Sequence, residues 1–119
     1  MTPLTPSYKR GDVVLVLFPN SNLTSAKLPP ALIVQADGLG TGLAQVVVAM
    51  ISSKLIRANH PSRILISQAS PAGKQARLLT DSVVMTDNLA TVIGAAISRV
   101  IGSLPMTDID NALRHTLSL

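Results

Sequence analysis

Two apolar runs separated by a proline-bounded polar loop constrain this chain more than any other feature. Val13 to Phe18 is apolar at every position and stops at Pro19; a polar stretch from Asn20 to Lys27 follows, and Ala31 to Val34 resumes the apolar run immediately after Pro30. An unbroken run of this length reads as a strand covered on both faces. Proline at the head of the second run suits the first residue of a strand, where a missing N–H costs least. These runs therefore predict two neighbouring strands that face protein on both sides.

Short strands continue down the chain. Leu43 to Ile51 predicts a third strand, entered through the turn-forming Asp37-Gly38 and the glycines of Gly38 to Gly42. That glycine loop lacks the Gly-Lys-Ser/Thr ending of a phosphate cradle and reads as a flexible hairpin. Arg63 to Ser67 alternates as a short strand, Ser70 to Gly73 reads as a loop, and Leu78–Leu79 with Ser82 to Met85 reads as a strand pair. Ala90 to Ile93 adds another strand. Many short strands with turn signals between them point to a small β-barrel rather than an alternating βαβ sheet.

The C-terminus changes period. Thr107 is placed to cap a helix over about 107–117, with Asp108 and Asp110 in the first turn where the dipole favours negative charge. Ile109, Ala112, Leu113, Thr116 and Leu117 recur at helical spacing and form one apolar face. A mainly β fold with one C-terminal helix is the expected architecture. It forms a single domain over residues 1–119, with 1–8 as a loose lead-in.

Composition narrows the chemistry. Apolar residues make up 47% of the chain but aromatics only 2%, so the core is aliphatic and few rings exist on which to stack bases. Cysteine is absent, as is glutamate, and there are two histidines; this donor set does not assemble a zinc site, so no metal or other cofactor is expected. Without cysteines the chain suits a cytoplasmic location. No apolar run reaches the length of a membrane span, and no signal peptide is visible, so no membrane association is expected. Ten Lys and Arg against six Asp give a net charge of +4, which suits either a polyanionic partner or simple solubility. Met50, Met85 and Met106 suit gaps in the core.

Three blocks carry a resemblance that covers nearly the whole chain. The first is Lys9 to Val34. The second is Ala49 to Lys54 followed by His60 to Ile66, and the third is Leu78 to Val84, Asp87 to Val92 and Ile101 to Leu104. In order and spacing they resemble the MazF/PemK family, the RNA-cleaving toxins of type II toxin–antitoxin modules. The resemblance implies an SH3-like barrel of the MazF/CcdB toxin class and a homodimer. It implies metal-independent, sequence-specific cleavage of single-stranded mRNA by 2′-OH attack. The implied partners are a cognate antitoxin whose acidic tail fills the RNA groove, and operator DNA reached only through the antitoxin complex.

In relatives an arginine and a threonine surround the scissile phosphate. Here Pro29 stands at the arginine position and Ser52 at the threonine position. Serine retains the hydroxyl, whereas proline offers neither charge nor proton. On the resemblance, Ser52 and Lys27 are the candidate catalytic residues, Lys27 being two residues from Pro29 and so on the same face of an extended strand. Ser53, Lys54 and Arg57 are the candidate RNA-binding residues. Lys27, Lys54 and Arg57 also fit ordinary surface charge, and His60 reads as a surface histidine. A further departure is Arg77, where the family has glycine. Two readings beside an active nuclease stay open: a non-catalytic relative that keeps the binding surface, and a CcdB-like gyrase poison.

Overall fold

A computed structural model describes residues 8–17 and 28–119. Six strands form one antiparallel sheet: β1 (Asp12–Val16), β2 (Pro30–Ile33), β3 (Gln45–Ser52), β4 (Arg63–Ile66), β5 (Ser82–Ile93) and β6 (Ile97–Ser103). Their order across the sheet is β4-β5-β3-β2-β1-β6. The mainly β architecture with a C-terminal helix is the one expected, although the sheet is not closed by a β4–β6 pairing among the described residues. The predicted β2–β3 hairpin is present, and Gly38, Gly40 and Gly42 supply positive φ within it.

Burial on both faces explains the unbroken apolar runs. Val13, Leu32, Ala49, Ile51 and Val84 point to one side, where two helices cover them through Ala76, Ile109 and Leu113. Val14, Val16, Ala31, Ile33, Val46 and Val48 point to the other side and pack with Val92, against Tyr8, Ala96 and Ile97. The second cover comes from the sheet itself. The β3–β5 register jumps between Ala49 (opposite Leu89) and Met50 (opposite Met85), so β5 bends and its far half wraps around the second cluster.

Where the structure departs from the sequence reading, local contacts explain why. Leu78 and Leu79 form no strand, and the segments Ser82 to Met85 and Ala90 to Ile93 are one bent strand rather than two. The residues between them look like a break because the bulge turns them out of the alternation. Thr86, fully buried within the bulge, donates to the Ser62 carbonyl at 2.6 Å, leaving its Oγ1 to accept from Thr116 of the C-terminal helix at 2.7 Å. β6 shows no clean alternation because its register against β1 shifts twice.

The expected loop at Ser70 to Gly73 opens a short helix instead, α1 (Pro71–Ala76). Ser70 caps it by accepting the Gly73 N–H at 3.0 Å, and Pro71 takes the first helical position, where its missing N–H costs nothing. α1 ends with Arg77 in the left-handed region (φ 57°, ψ 38°), its N–H bonded to the Lys74 carbonyl while Leu78 N–H reaches Gly73. This Schellman end favours glycine, and a side chain there costs on the order of 1 kcal/mol. That accounts for the family's glycine at this position. Gly102 of β6 lets α1 lie against the strand, because a Cβ there would meet the Gln75 carbonyl oxygen at 2.5 Å.

The C-terminal helix is α2 (Thr107–Leu117). Its cap position is Met106 and not Thr107, and no side chain caps it. Asp108 and Asp110 occupy the first turn as expected. Ile109, Ala112 and Leu113 are buried, but Leu117 is 50% exposed, so the apolar face fades at the last turn. Arg10 anchors the other end of α2. Its guanidinium meets Asp110 at 2.7 Å and the Val34 carbonyl at 2.9 Å, while its own N–H meets Asp37 at 2.7 Å.

Leu113→Ala is expected to cost ~2–5 kcal/mol, and Leu117→Ala under about 1 kcal/mol, in urea unfolding. Equal losses at the two positions would contradict this burial pattern.

Candidate functional site

The site candidates collect at one end of β3. The β2–β3 register pairs Ala31 with Met50, Leu32 with Ala49 and Ile33 with Val48. Carried two residues beyond Ala31 and Met50, it sets Pro29 opposite Ser52. From the other side Val16 N–H donates to the Pro29 carbonyl at 3.0 Å, so Pro29 continues the sheet against β1 as well. Pro29, immediately before β2, and Ser52, the last residue of β3, thus lie across from one another on the face of Ala31 and Val48. Directly opposed residues have Cβ atoms about 5 Å apart.

Ser52 is half-buried, and its Oγ accepts the Lys54 N–H at 3.0 Å. This bond pins the start of the β3–β4 loop and leaves the serine's own proton available to a ligand oxygen. Ser53, Lys54 and Arg57 are all exposed on that loop, with Arg57 in the left-handed region at φ 65°. The structure therefore brings Ser52, Ser53, Lys54 and Arg57 onto one segment. Lys27 lies outside the described residues.

A cross-strand ion pair, not foreseen from the sequence, holds the loop. The Arg63 guanidinium meets the Asp87 carboxylate through Nε at 3.2 Å and Nη2 at 3.3 Å, and Nη1 reaches the Ile56 carbonyl at 3.4 Å. Asp87 belongs to the β5 bulge, so the bulge that bends the sheet also fixes the loop. The two residues are 24 apart in sequence, and only the strand register brings them together. His60 is exposed as expected but not without partners: its Nδ1 accepts the Ser62 N–H at 3.1 Å, and its ring centroid lies 6.2 Å from that of His115.

Chemically, this end of the sheet offers a hydroxyl and two loop cations beside a residue that supplies nothing polar from its side chain. Among the described residues no group of three or more metal-ligating side chains occurs, and no helix is long and apolar enough to cross a membrane.

The fold is shared with RNA-cleaving toxins. A mycobacterial endoribonuclease in complex with its cognate antitoxin matches with a TM-score of 0.71 at 22% identity, over 95% of this chain and 97% of that one. The Mycobacterium tuberculosis toxin MazF-mt6 matches with a TM-score of 0.66 at 20% identity, over 91% of this chain and 97% of that one. Among curated proteins no sequence matches. The family model described as PemK-like, MazF-like toxin of type II toxin–antitoxin system covers residues 9–117, and the chain belongs to that family.

Asp87→Asn is expected to speed amide exchange across residues 55–60 while lowering global stability by under about 1 kcal/mol, because the pair is partly exposed. Unchanged exchange in the loop would remove the ion pair from its support.

Proposed function

We propose that this chain is the RNA-cleaving toxin of its toxin–antitoxin pair, cutting single-stranded mRNA at the Ser52 end of β3 with turnover lowered by Pro29. Cleavage forms a bond from the 2′-oxygen to phosphorus and breaks the bond from phosphorus to the 5′-oxygen. The 2′-hydroxyl loses its proton to water, the leaving 5′-oxygen takes one from water, and negative charge builds on the non-bridging oxygens. Ser52 donates a hydrogen bond from its hydroxyl to a non-bridging oxygen. Lys54 and Lys27 supply positive charge, and Ser53 and Arg57 hold the flanking backbone. Lysine gives a point charge in place of the forked donors of arginine, so orientation is poorer.

The reading is supported by the β2–β3 register, which extended two residues past the Ala31–Met50 pair puts Pro29 across from Ser52. Proline there removes one transition-state cation, a loss of about 10²–10³ in rate, or ~3–4 kcal/mol. The carbonyl that pairs with Val16 survives substitution, so Pro29→Arg leaves that backbone bond in place. The same reading assigns a cognate antitoxin with an acidic tail that fills the RNA groove, operator DNA bound only through that complex, a homodimer, and action in the cytoplasm. Pro29 by itself favours a second reading, in which the chain keeps the binding surface and has no turnover, while the exposed Ser53, Lys54 and Arg57 beside Ser52 support the first.

Single-turnover cleavage of a mixed-sequence RNA by wild type, Pro29→Arg and Ser52→Ala tests both. Cleavage raised about 10²-fold or more by Pro29→Arg and lowered by Ser52→Ala is the expected result. Robust wild-type cleavage indifferent to Ser52→Ala would sink the assignment of the site, and absent cleavage in all three would establish the binding reading.

Light scattering at micromolar concentration is expected to give twice the chain mass. A monomer there would exclude the homodimer.

A further inference from the structure

The loop between β3 and β4 carries a feature that the chemistry at Ser52 does not use. Ile56 is 75% exposed and Leu55 43%, and the two stand together between the exposed Lys54 and Arg57. Backbone bonds fix this aliphatic pair in place. The Ala58 N–H donates to the Leu55 carbonyl at 3.1 Å, which closes a turn with Ile56 and Arg57 as its central residues. Arg63 Nη1 donates to the Ile56 carbonyl at 3.4 Å, and Ser52 Oγ accepts the Lys54 N–H at 3.0 Å, so the segment is tied to β4 and to β3.

Arg57 is the informative residue. It takes the third position of the turn at φ 65°, where turn chemistry favours glycine or asparagine. Neither Arg57 nor Lys54 has a carboxylate in ion-pair range among the described residues, where the ion pairs are Lys9–Asp12, Arg10–Asp110 and Arg63–Asp87. Both oxygens of Asp87 are taken by Arg63. Strain retained without a compensating contact points to a use outside the isolated fold.

On the reading of the Ser52 end as the RNA site, we propose that Ile56 seats a nucleobase of the bound single strand and favours a purine there, with the phosphates on either side of that base on Lys54 and Arg57. Proteins that hold single strands stack bases on aromatic rings. Among the described residues the only Phe, Tyr or Trp is Tyr8, and it packs on the second apolar cluster. At the loop an aliphatic surface takes the place of a ring. The face of any base leaves water against Ile56 and Leu55, and the larger purine buries more area. Neither side chain offers a hydrogen bond to a base edge, so selection follows ring area and is modest. Charge complementarity selects the occupant: a second copy related by two-fold symmetry at this loop would set Lys54 and Arg57 against the same cations.

The test is fluorescence anisotropy with labelled oligoadenylate and oligouridylate on the full chain, as wild type, Ile56→Ala, Ile56→Phe and Arg57→Gly, with thermal melts and light scattering of each. Wild type is expected to bind the adenylate roughly threefold more tightly than the uridylate. Ile56→Ala melts like wild type, because the side chain is largely exposed, yet binds oligoadenylate roughly fivefold more weakly. It also brings the two probes toward equal affinity and keeps the wild-type salt dependence. Ile56→Phe supplies a ring and binds both probes more tightly, a gain that a merely structural role would not give. Arg57→Gly melts at the same temperature or higher, since glycine relieves the backbone, yet binds more weakly and with a salt slope smaller by about 0.7. Binding is read without turnover, so the result stands whether or not the wild type cleaves. Wild-type binding that Ile56→Ala leaves unchanged in strength and in base preference overturns the proposal alone. No binding of either probe by wild type overturns it together with the RNA reading of the Ser52 end. A dimer that Ile56→Ala converts to a monomer, with RNA affinity unchanged, overturns it in favour of a second copy.

Discussion

β1, β2 and β3 carry aliphatic side chains on both faces, and a sheet built that way has to be covered twice. With almost no aromatic residues, the chain cannot shield a face with a few large rings and needs whole elements instead. α1 and α2 cover one face through Ala76, Ile109 and Leu113. The sheet covers the other by curling, which the jump in register between Ala49 and Met50 makes feasible. Thr86 and Asp87 of the same bulge then tie α2 and the β3–β4 loop to the bend.

The candidate site is a consequence of this arrangement. The hydrogen bond from Val16 to Pro29 and the β2–β3 register carry the sheet out to the end where Pro29 faces Ser52. A position in a sheet is held by backbone bonds that ask little of the side chain, so arginine can be lost there without loss of fold. The chemistry is less tolerant, because a proline ring cannot replace a guanidinium. On the proposed reading, a member of this toxin family keeps the architecture of the site while Pro29 lowers its catalytic charge.

Arg77 shows the reverse relation. At the end of α1 the backbone asks for glycine, and the side chain present is long and cationic. The two substitutions point in different directions: Pro29 removes charge on the face that carries Ser52, and Arg77 adds charge on the face that carries α1. Their effects are separable because the sheet lies between them.

Much of the architecture was legible in the chain. Apolar runs broken by Pro and Gly locate β1, β2 and β3, and helical spacing locates α2, because periodicity and turn chemistry are local properties. Pro29 and Ser52 were recognisable as site positions only through the resemblance, since nothing in their immediate surroundings marks them. Contacts between distant segments stayed hidden: Arg63 with Asp87, Thr86 with Thr116, and Arg10 with Asp110. β6 was obscured by its shifted register, α1 by its brevity, and the unity of β5 by its bulge. The amino-acid order by itself determined that β1, β2 and β3 are extended, that α2 is helical and that the core is aliphatic, because these follow from side-chain polarity at fixed backbone periods. Only the tertiary structure decided which side chains meet, since a one-residue change of strand register exchanges every partner and reverses every face.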